Sequence, residues 1–425
     1  MFKKHPNGLS VLFFTEMWER FGFYILMAIL VLYMEHEFGW DDSTKGNFYG
    51  WFLGAVYFIP LLGGWLGDRI LGQINTAKLG SLFMAVGYIF LALSSKNNVP
   101  FFLIGLFLVA LGTGIFKVNM AVLVGNLYRN TPALKDAGFN IYYMGVNVGA
   151  AVAPLAATLF SSYFGSYRLS FWAASIGMLV SFATFTFGQK RLVVTDHNKK
   201  EDGTQLPADR LPDMSKKEFN QRIVTLVILF SIVIFFWIGF YQNGFALTLF
   251  AERSTTILSW LRPETYQFFN PFFILVLTPV LLTVFSRLNA KGKEPQTPVK
   301  IFIGMVVMGI AMAIMIPASL LGGNADAHNM SPMWLISTYF VVTIAEIMIS
   351  PMGQSFVSKV APPKIQGLMM GGWFAATAAG SYGSGFMGKF YSDFLHHEYF
   401  LVLAGLLAFS AILVLISMKT LRRFS

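Results

Sequence analysis

Long apolar runs separated by short polar connections dominate the hydrophobic pattern of this chain. A helix that crosses the hydrocarbon core of a bilayer needs about 20 mostly apolar residues, and twelve segments reach that length. We predict spans near residues 9–34, 46–66, 75–95, 99–128, 137–163, 166–187, 222–250, 264–287, 299–321, 331–358, 365–391 and 397–420. The pattern therefore predicts an all-α polytopic membrane protein.

One long polar stretch, from Gln189 to Gln221, interrupts this series of spans. It follows the sixth span, so it divides the predicted helices into two sets of six. Two equal sets of spans are typical of transporters built from two bundles related by an internal repeat. We predict an N-terminal six-helix bundle at residues 1–188, a cytoplasmic linker at 189–221 and a C-terminal six-helix bundle at 222–425.

Charge is scarce and unevenly placed, at 12% of residues against 55% hydrophobic. The net charge of +10 would suit a nucleic-acid-binding protein, but basic loops that orient a membrane protein account for it better. With the N-terminus inside, 23 of the 31 Lys and Arg residues fall on the cytoplasmic side. We predict a multi-pass protein of the cell inner membrane with both termini in the cytoplasm, surrounded by lipid and not bound to nucleic acid.

Five charged side chains lie well inside predicted spans: Glu16, Glu19, Arg20, Lys117 and Glu346. A charge in the hydrocarbon core is costly, so such residues pair, face a wet cavity or carry function. From the rise of an α-helix, Arg20, Lys117 and Glu346 each lie ~16–18 Å from the predicted cytoplasmic ends of their spans. Three separate spans thus place charge in one layer near the middle of the membrane.

Glu16, Glu19 and Arg20 share one face of the first predicted span, because they are three or four residues apart. Two neighbouring carboxylates in a low dielectric rarely both ionise. We therefore expect one to hold a proton while Arg20 and Lys117 keep the other ionised. Proton coupling requires such a group; the alternative is a buried ion-pair network that only holds helices in register.

The same charged layer suits a substrate that carries two opposite charges. Arg20 offers a planar fork for a carboxylate and Lys117 offers a point charge. Glu346 lies in the other predicted bundle and suits an ammonium group. A transporter built from two bundles places its substrate near the membrane midplane, where these residues are predicted to lie.

Five motifs resemble those of one transporter family. Residues 16–24 read Glu16-Met-Trp-Glu19-Arg20-Phe-Gly-Phe23-Tyr24, which resembles the family signature E-x-x-E-R-F-x-Y-Y. The other four motifs lie at 64–72, 112–119, 139–150 and 346–353. Together they resemble the proton-dependent oligopeptide transporters, a branch of the major facilitator superfamily.

The resemblance implies a major facilitator fold, two six-helix bundles that work by alternating access. It implies a secondary active transporter, not an enzyme, that imports di- and tripeptides with protons and needs no cofactor beyond the coupling proton. We expect a monomer. The implied substrate-binding residues are Arg20, Tyr24, Tyr57, Lys117, Asn147, Trp237, Asn270, Glu346, Ser350 and Trp373. The implied proton-coupling residues are Glu16, Glu19, Arg20 and Lys117, and the implied gate residues are Asp68 and Arg69.

Three positions depart from the family pattern. The family has an acidic residue in helix seven, in a stretch like F-W-x-x-x-E-Q, where this chain has Tyr241. Its usual Arg partner in helix one is replaced by Met27, and the first tyrosine of the signature is Phe23. The acid and the Arg are missing together, as expected if either alone would be a costly buried charge. We therefore assign proton coupling to Glu16 and Glu19.

Alternative functions remain open. A family member that carries another anionic or peptide-like metabolite, with altered proton coupling, would fit the changes in helices one and seven. A peptide sensor without transport is a second alternative, but neither the linker nor the short tail after Leu421 offers an output domain. An intramembrane enzyme or metal protein fits less well, because His396-His397 lacks metal-site spacing and the chain contains no Cys.

Overall fold

The chain is described here from a computed structural model that covers residues 5–128, 131, 134–192 and 214–424. Within these residues the regular structure is helical, and strand pairing is limited to three isolated bridges. Most of the predicted linker, residues 193–213, lies outside the described residues. The parts of it that are described are a short turn at Gln189–Arg191 and the start of a helix at Lys216.

Each predicted span falls on one long helix of the described chain. Eleven of these helices are long and apolar enough to cross a membrane. The remaining one, α11, spans 23 residues and is rich in glycine. The helices are α1 Gly8–Phe38, α2 Asp42–Leu71, α3 Gln73–Leu93, α4 Val99–Leu127, α5 Lys135–Thr158, α6 Tyr167–Gly188, α7 Lys216–Arg253, α8 Pro263–Ala290, α9 Thr297–Leu321, α10 Pro332–Val360, α11 Gln366–Gly388 and α12 His396–Arg422. The predicted fold class is confirmed.

Irregular turns interrupt or flank several of these helices. π-Helical turns form Gly67–Leu71 in α2 and Leu159–Tyr163 after α5, and a 3₁₀ turn breaks α7 at Tyr241–Gly244. A break in a membrane helix frees backbone carbonyls, which must find other donors. In α7 the donors are tyrosine hydroxyls, since Tyr49 donates to the carbonyl of Tyr241 at 2.8 Å and Tyr339 to that of Asn243 at 3.0 Å.

The helices cluster into two compact units. The first contains Met1–Trp40 and Ala55–Asp202, and the second contains Asp41–Gly54 and Gly203–Ser425. The first turns of α2 thus belong to the second unit, and the rest of α2 belongs to the first. The predicted sequential division had kept α2 in one piece.

In the first unit, α1 packs against α5 and α6 and is largely enclosed by protein. Its most apolar stretch is 78% buried, the highest value among the eleven candidate spans. The charged residues of α1 therefore face protein neighbours, and lipid does not surround them. This enclosure explains how a helix with three charges in its middle can be stable in a membrane.

In the second unit, α2 begins with a polar cluster around Asp42. Asp42 accepts hydrogen bonds from both terminal nitrogens of Arg253 at 2.9 and 3.0 Å and from the hydroxyl of Ser392. Lys45 Nζ lies 2.7 Å from the same carboxylate, although its side chain is fully buried. Just before the helix, Asp41 accepts from Thr44, which lowers the pKa of Asp41 from its usual 3.8. These contacts join the start of α2 to the end of α7 and to the α11–α12 connection.

Glycines allow α2 to approach α11 at backbone distance. A Cβ atom on Gly46 would lie 2.5 Å from the carbonyl oxygen of Gly385, and one on Gly50 would lie 2.8 Å from that of Tyr382. Small residues at such crossings are the usual way in which membrane helices pack closely. The contact between α2 and α11 therefore consists largely of backbone atoms.

Candidate functional site

The first candidate site, in the first unit, is a three-charge cluster on one face of α1. The guanidinium of Arg20 donates to both carboxylate oxygens of Glu19, from Nη2 at 2.5 Å and from Nε. Its Nε also lies 3.4 Å from Oε1 of Glu16, one turn earlier. All three side chains are at least 95% buried. One cation thus serves two carboxylates in a site shielded from solvent.

Helix α5 completes this cluster from the side. The hydroxyl of Tyr142 donates to Oε2 of Glu16 at 2.6 Å. One face of α5 also presents Gly149, where a Cβ atom would lie 2.2 Å from the carbonyl oxygen of Met17 and 3.1 Å from Cβ of Arg20. A glycine here lets α5 lie directly against α1. The Glu16 carboxylate thus meets the hydroxyl of Tyr142 at Oε2 and the guanidinium of Arg20 at Oε1.

Lys117 of α4 is the second cation that the sequence places in the middle of a span of the first unit. Its Nζ lies 5.5 Å from the ring centroid of Tyr57, a cation–π contact between α4 and α2. Within the part of the chain that the structure describes, its ammonium has no carboxylate at ion-pair distance. Glycines bring α2 and α4 together here, because a Cβ atom on Gly63 would lie 2.6 Å from Cα of Ile115. Lys117 therefore has bonding capacity left for an anion.

Each of the other predicted site residues of the first unit has its own neighbours. Tyr24 is half-buried, with its ring edge-on to Phe23 at 5.6 Å between centroids. The amide of Asn147 donates to the carbonyl of Tyr143 on its own helix at 2.9 Å, so one of its donors is already bonded. The predicted gate residues are exposed in the π-helical turn of α2, where Asp68 accepts from Gln73 at 3.1 Å and Arg69 is its neighbour.

The second candidate site is a carboxylate bonded to an amide. In the second unit, Asn270 of α8 donates to Oε2 of Glu346 on α10 at 2.8 Å. The same amide nitrogen lies 3.2 Å from the hydroxyl of Thr343, which itself donates to the carbonyl of Tyr339. The pair fixes the orientation of the carboxylate and leaves its second oxygen, Oε1, for another donor. An ammonium group supplies such a donor with the matching charge.

The two predicted tryptophans, Trp237 and Trp373, differ in how they pack within the second unit. Trp237 of α7 stacks on Tyr241, with ring centroids 5.7 Å apart, and its Nε1 is buried without a hydrogen-bond partner in the described chain. Trp373 of α11 is 1% exposed and fills the space left by Gly353 of α10, where a Cβ atom would lie 2.0 Å from the Trp373 ring. Trp237 therefore has an unused donor, while Trp373 packs as a core side chain. Ser350 is half-buried on α10, one turn after Glu346.

The positions that depart from the family signature hold uncharged, buried side chains. Phe23 and Met27 are 4% and 5% exposed in α1, and the ring of Phe23 lies 4.9 Å from the guanidinium carbon of Arg20. Tyr241 is 7% exposed at the break of α7, and Gln242 beside it is bonded to Ser384 and Tyr399. An apolar ring thus covers Arg20 where the family has a tyrosine hydroxyl.

Sequence reasoning did not assign the roles that three residues have at these two candidate sites. Tyr142 and Gly149 belong to the motif at 139–150, yet the motif alone does not say which member reaches the α1 carboxylates. Thr343 lies three residues before Glu346, hence on the same helical face. That spacing is the signal that would have identified it. Among the described residues no cluster of His, Cys, Asp and Glu has the arrangement of a metal site.

Comparisons with known proteins show which family this chain belongs to. The sequence profile of the Major Facilitator Superfamily matches residues 12–371. The uncharacterized transporter YclF of Bacillus subtilis is 31% identical, covering 88% of this chain and 86% of that protein. The peptide transporter YePEPT of Yersinia enterocolitica is 29% identical, covering 90% and 88%. A crystal structure of the peptide transporter POT in complex with sulfate superposes with a TM-score of 0.89 at 26% identity, covering 100% of this chain and 96% of that one.

The profile match extends over most of the chain, and one relative exceeds 30% identity over nearly its whole length. The structural likeness extends over both compact units, so it does not rest on one bundle alone. The chain therefore belongs to the major facilitator superfamily and, within it, to the proton-dependent oligopeptide transporters.

Proposed function

We propose that this protein is a secondary active transporter that imports di- and tripeptides together with protons by alternating access. The observation that carries the proposal is the buried cluster in which Arg20 serves both Glu16 and Glu19. A structural ion pair needs one acid for each base, whereas this cluster has a carboxylate in excess. The peptide transporter from Yersinia and the solved peptide transporter support the substrate class.

The cluster links substrate binding to proton binding through competition for one guanidinium. A peptide carboxylate that binds Arg20 takes the place of a glutamate oxygen. A buried carboxylate that loses its cation is strongly destabilised, so it binds a proton instead. Substrate and proton therefore load together, and release of one favours release of the other. Lys117 adds positive charge for the incoming carboxylate from α4.

We assign the ammonium group of the peptide to the carboxylate of Glu346. Asn270 holds Oε2 of Glu346, and Oε1 accepts a hydrogen bond from the peptide ammonium. The unpartnered Nε1 of Trp237 is a donor for a peptide carbonyl. The proposal therefore assigns the peptide carboxylate to the cations Arg20 and Lys117 and the peptide ammonium to Glu346.

Uptake in proteoliposomes tests the proposal. We expect dialanine and trialanine to exchange across the membrane in counterflow and to accumulate when the lumen is more alkaline than the outside. Substrate addition under the same conditions should carry protons inward, measured with a trapped pH dye. Absence of uptake under either direction of the pH gradient would contradict the proposal.

A second candidate substrate is a peptide-like zwitterion without an amide bond. It is favoured by Tyr241 and Met27, which replace the helix-seven acid and its partner with uncharged side chains. Competition in the counterflow assay separates the two candidates. The compound 5-aminopentanoate matches the length of a dipeptide and has both charged ends. If it competes better than dialanine, the second candidate replaces the first.

The chain is a multi-pass membrane protein, and we propose that it is a monomer of the cell inner membrane with both termini in the cytoplasm. The proposal rests on the distribution of Lys and Arg. Because the chain has no cysteine, single cysteines report their own side without background. A membrane-impermeant maleimide applied to intact cells should label Asn97→Cys and not Lys293→Cys, both at exposed connections. The reverse result would invert the topology, and light scattering of the purified protein checks the monomer.

A further inference from the structure

A groove lies between the start of α7 and the end of α12, within the second unit. It has a volume of about 610 Å³. Its walls include Asn220, Gln221 and Val224 on α7 and Lys419, Arg422 and Arg423 at the end of α12. These residues define what we call the α7–α12 groove. Its lining contains three cationic side chains and no carboxylate among the described residues, so its charge is complementary to an anion.

The groove opens onto apolar helix faces. On α7, exposed residues recur at Asn220, Val224 and Val227, which places an amide at the helix start and valines farther into the span. On α12, Ile412 and Ile416 are 52% and 75% exposed on the face that continues to Lys419 and Arg423. Both faces thus change from apolar to polar or cationic in the same direction. A ligand that fits both surfaces has an anionic head and a hydrocarbon tail.

The cationic end of the groove is held in place by ring contacts. The ring centroid of Phe424 lies 4.8 Å from the guanidinium carbon of Arg222 on α7 and 5.6 Å from that of Arg423. Arg222 is itself fixed by Glu218 at 2.9 Å and by the carbonyl of Val360 at 3.1 Å. Phe424 therefore ties the end of α12 to α7, and the groove is a formed site and not the space beside a loose tail.

We propose that the α7–α12 groove binds one anionic phospholipid from the leaflet next to the end of α12. The lipid phosphate contacts Lys419, Arg422 and Arg423, and an acyl chain lies along Val224 and Ile416. Basic pockets at the ends of membrane helices are recognised sites for anionic lipid headgroups. Free phosphate would use the cations alone, whereas the exposed apolar faces favour the lipid. The proposal is independent of the transported substrate.

Native mass spectrometry of the full chain tests the site with phosphatidylglycerol as the probe. We expect Lys419→Gln combined with Arg423→Gln to weaken phosphatidylglycerol binding about tenfold or more, since each cation near the membrane surface contributes to the attraction. Lys291→Gln combined with Lys293→Gln is the matched control, because these two lysines are also exposed and lie in the α8–α9 connection. The control should bind the lipid as tightly as the unmodified chain.

A second variant guards against a failure to fold. Asn220→Glu places a carboxylate in the groove at an exposed helical position, and it too should weaken lipid binding. Equal weakening in the lysine control would show only an effect of net charge and would overturn the proposal. Equal affinity for phosphatidylcholine, or displacement of the lipid by millimolar inorganic phosphate, would overturn it as well.

Discussion

Replacement of Lys117 by alanine is expected to reduce peptide uptake driven by a pH gradient by about 30-fold or more. The reason is that loss of one partner from a buried charge contact costs about 2–5 kcal/mol, and Lys117 is assigned to the peptide carboxylate. The variant should still fold, because the contact found for its ammonium in the described chain is the ring of Tyr57. Uptake by purified protein in liposomes measures the first effect and thermal unfolding measures the second.

Lys389→Ala is the matched control for this prediction. Lys389 also holds its ammonium over an aromatic ring, at 5.3 Å from the centroid of Phe386, and it follows the last residue of α11. It should therefore lose a similar cation–π contact and keep full transport. If Lys117→Ala transports at the unmodified rate, the cation on α4 has a structural role and the assignment of the peptide carboxylate fails.

The double variant Glu16→Gln, Glu19→Gln is expected to keep peptide exchange and to lose the coupling of peptide transport to protons. Glutamine keeps the shape and the acceptor oxygen that Tyr142 and Arg20 use, but it does not titrate. Counterflow of peptide should persist, while accumulation under a pH gradient and peptide-driven proton uptake should fall to background. The pH dependence of counterflow should flatten, since no carboxylate remains in the α1 cluster.

Loss of both carboxylates leaves Arg20 without its anions, and an uncompensated buried charge costs about 3–5 kcal/mol. The single variants Glu16→Gln and Glu19→Gln each keep one anion for Arg20 and are therefore measured beside the double variant. Glu37→Gln combined with Glu218→Gln removes two glutamates that pair with Arg168 and Arg222 instead. That control should remain coupled. If peptide uptake in the double variant still carries protons, the coupling proton binds a group other than Glu16 and Glu19.

Much of the fold could be predicted from the sequence because the bilayer imposes a minimum length on every span. The weakest hydropathy belongs to α11, where glycines replace apolar side chains, yet its length and position still identified it. The division of α2 at Gly54 could not be predicted in this way. It depends on which neighbours the two ends of one continuous helix contact, and hydropathy contains no information on contacts.

Contacts between candidate site residues on the same helix could be predicted from their spacing. Contacts with residues of a neighbouring helix could not. The spacing of Glu16, Glu19 and Arg20 places them together without reference to the fold. The donor from Tyr142 depends on the close approach of α5, which Gly149 permits. For Trp373 the family resemblance implies a substrate contact, which stays a prediction; in the structure this side chain is 1% exposed and packs against Gly353.

The glycines between α2 and α11 also reduce the side-chain entropy that is lost when these two helices pack. Gly46, Gly50 and Gly385 have no side-chain rotamers to fix where the two helices pack, whereas larger residues would lose conformational freedom there. The remaining bonds at the start of α2, from Asp42 to Arg253 and from Tyr49 to Tyr241, join polar groups that water can also satisfy. A contact built on glycine therefore forms between α2 and α11 at little cost in side-chain entropy.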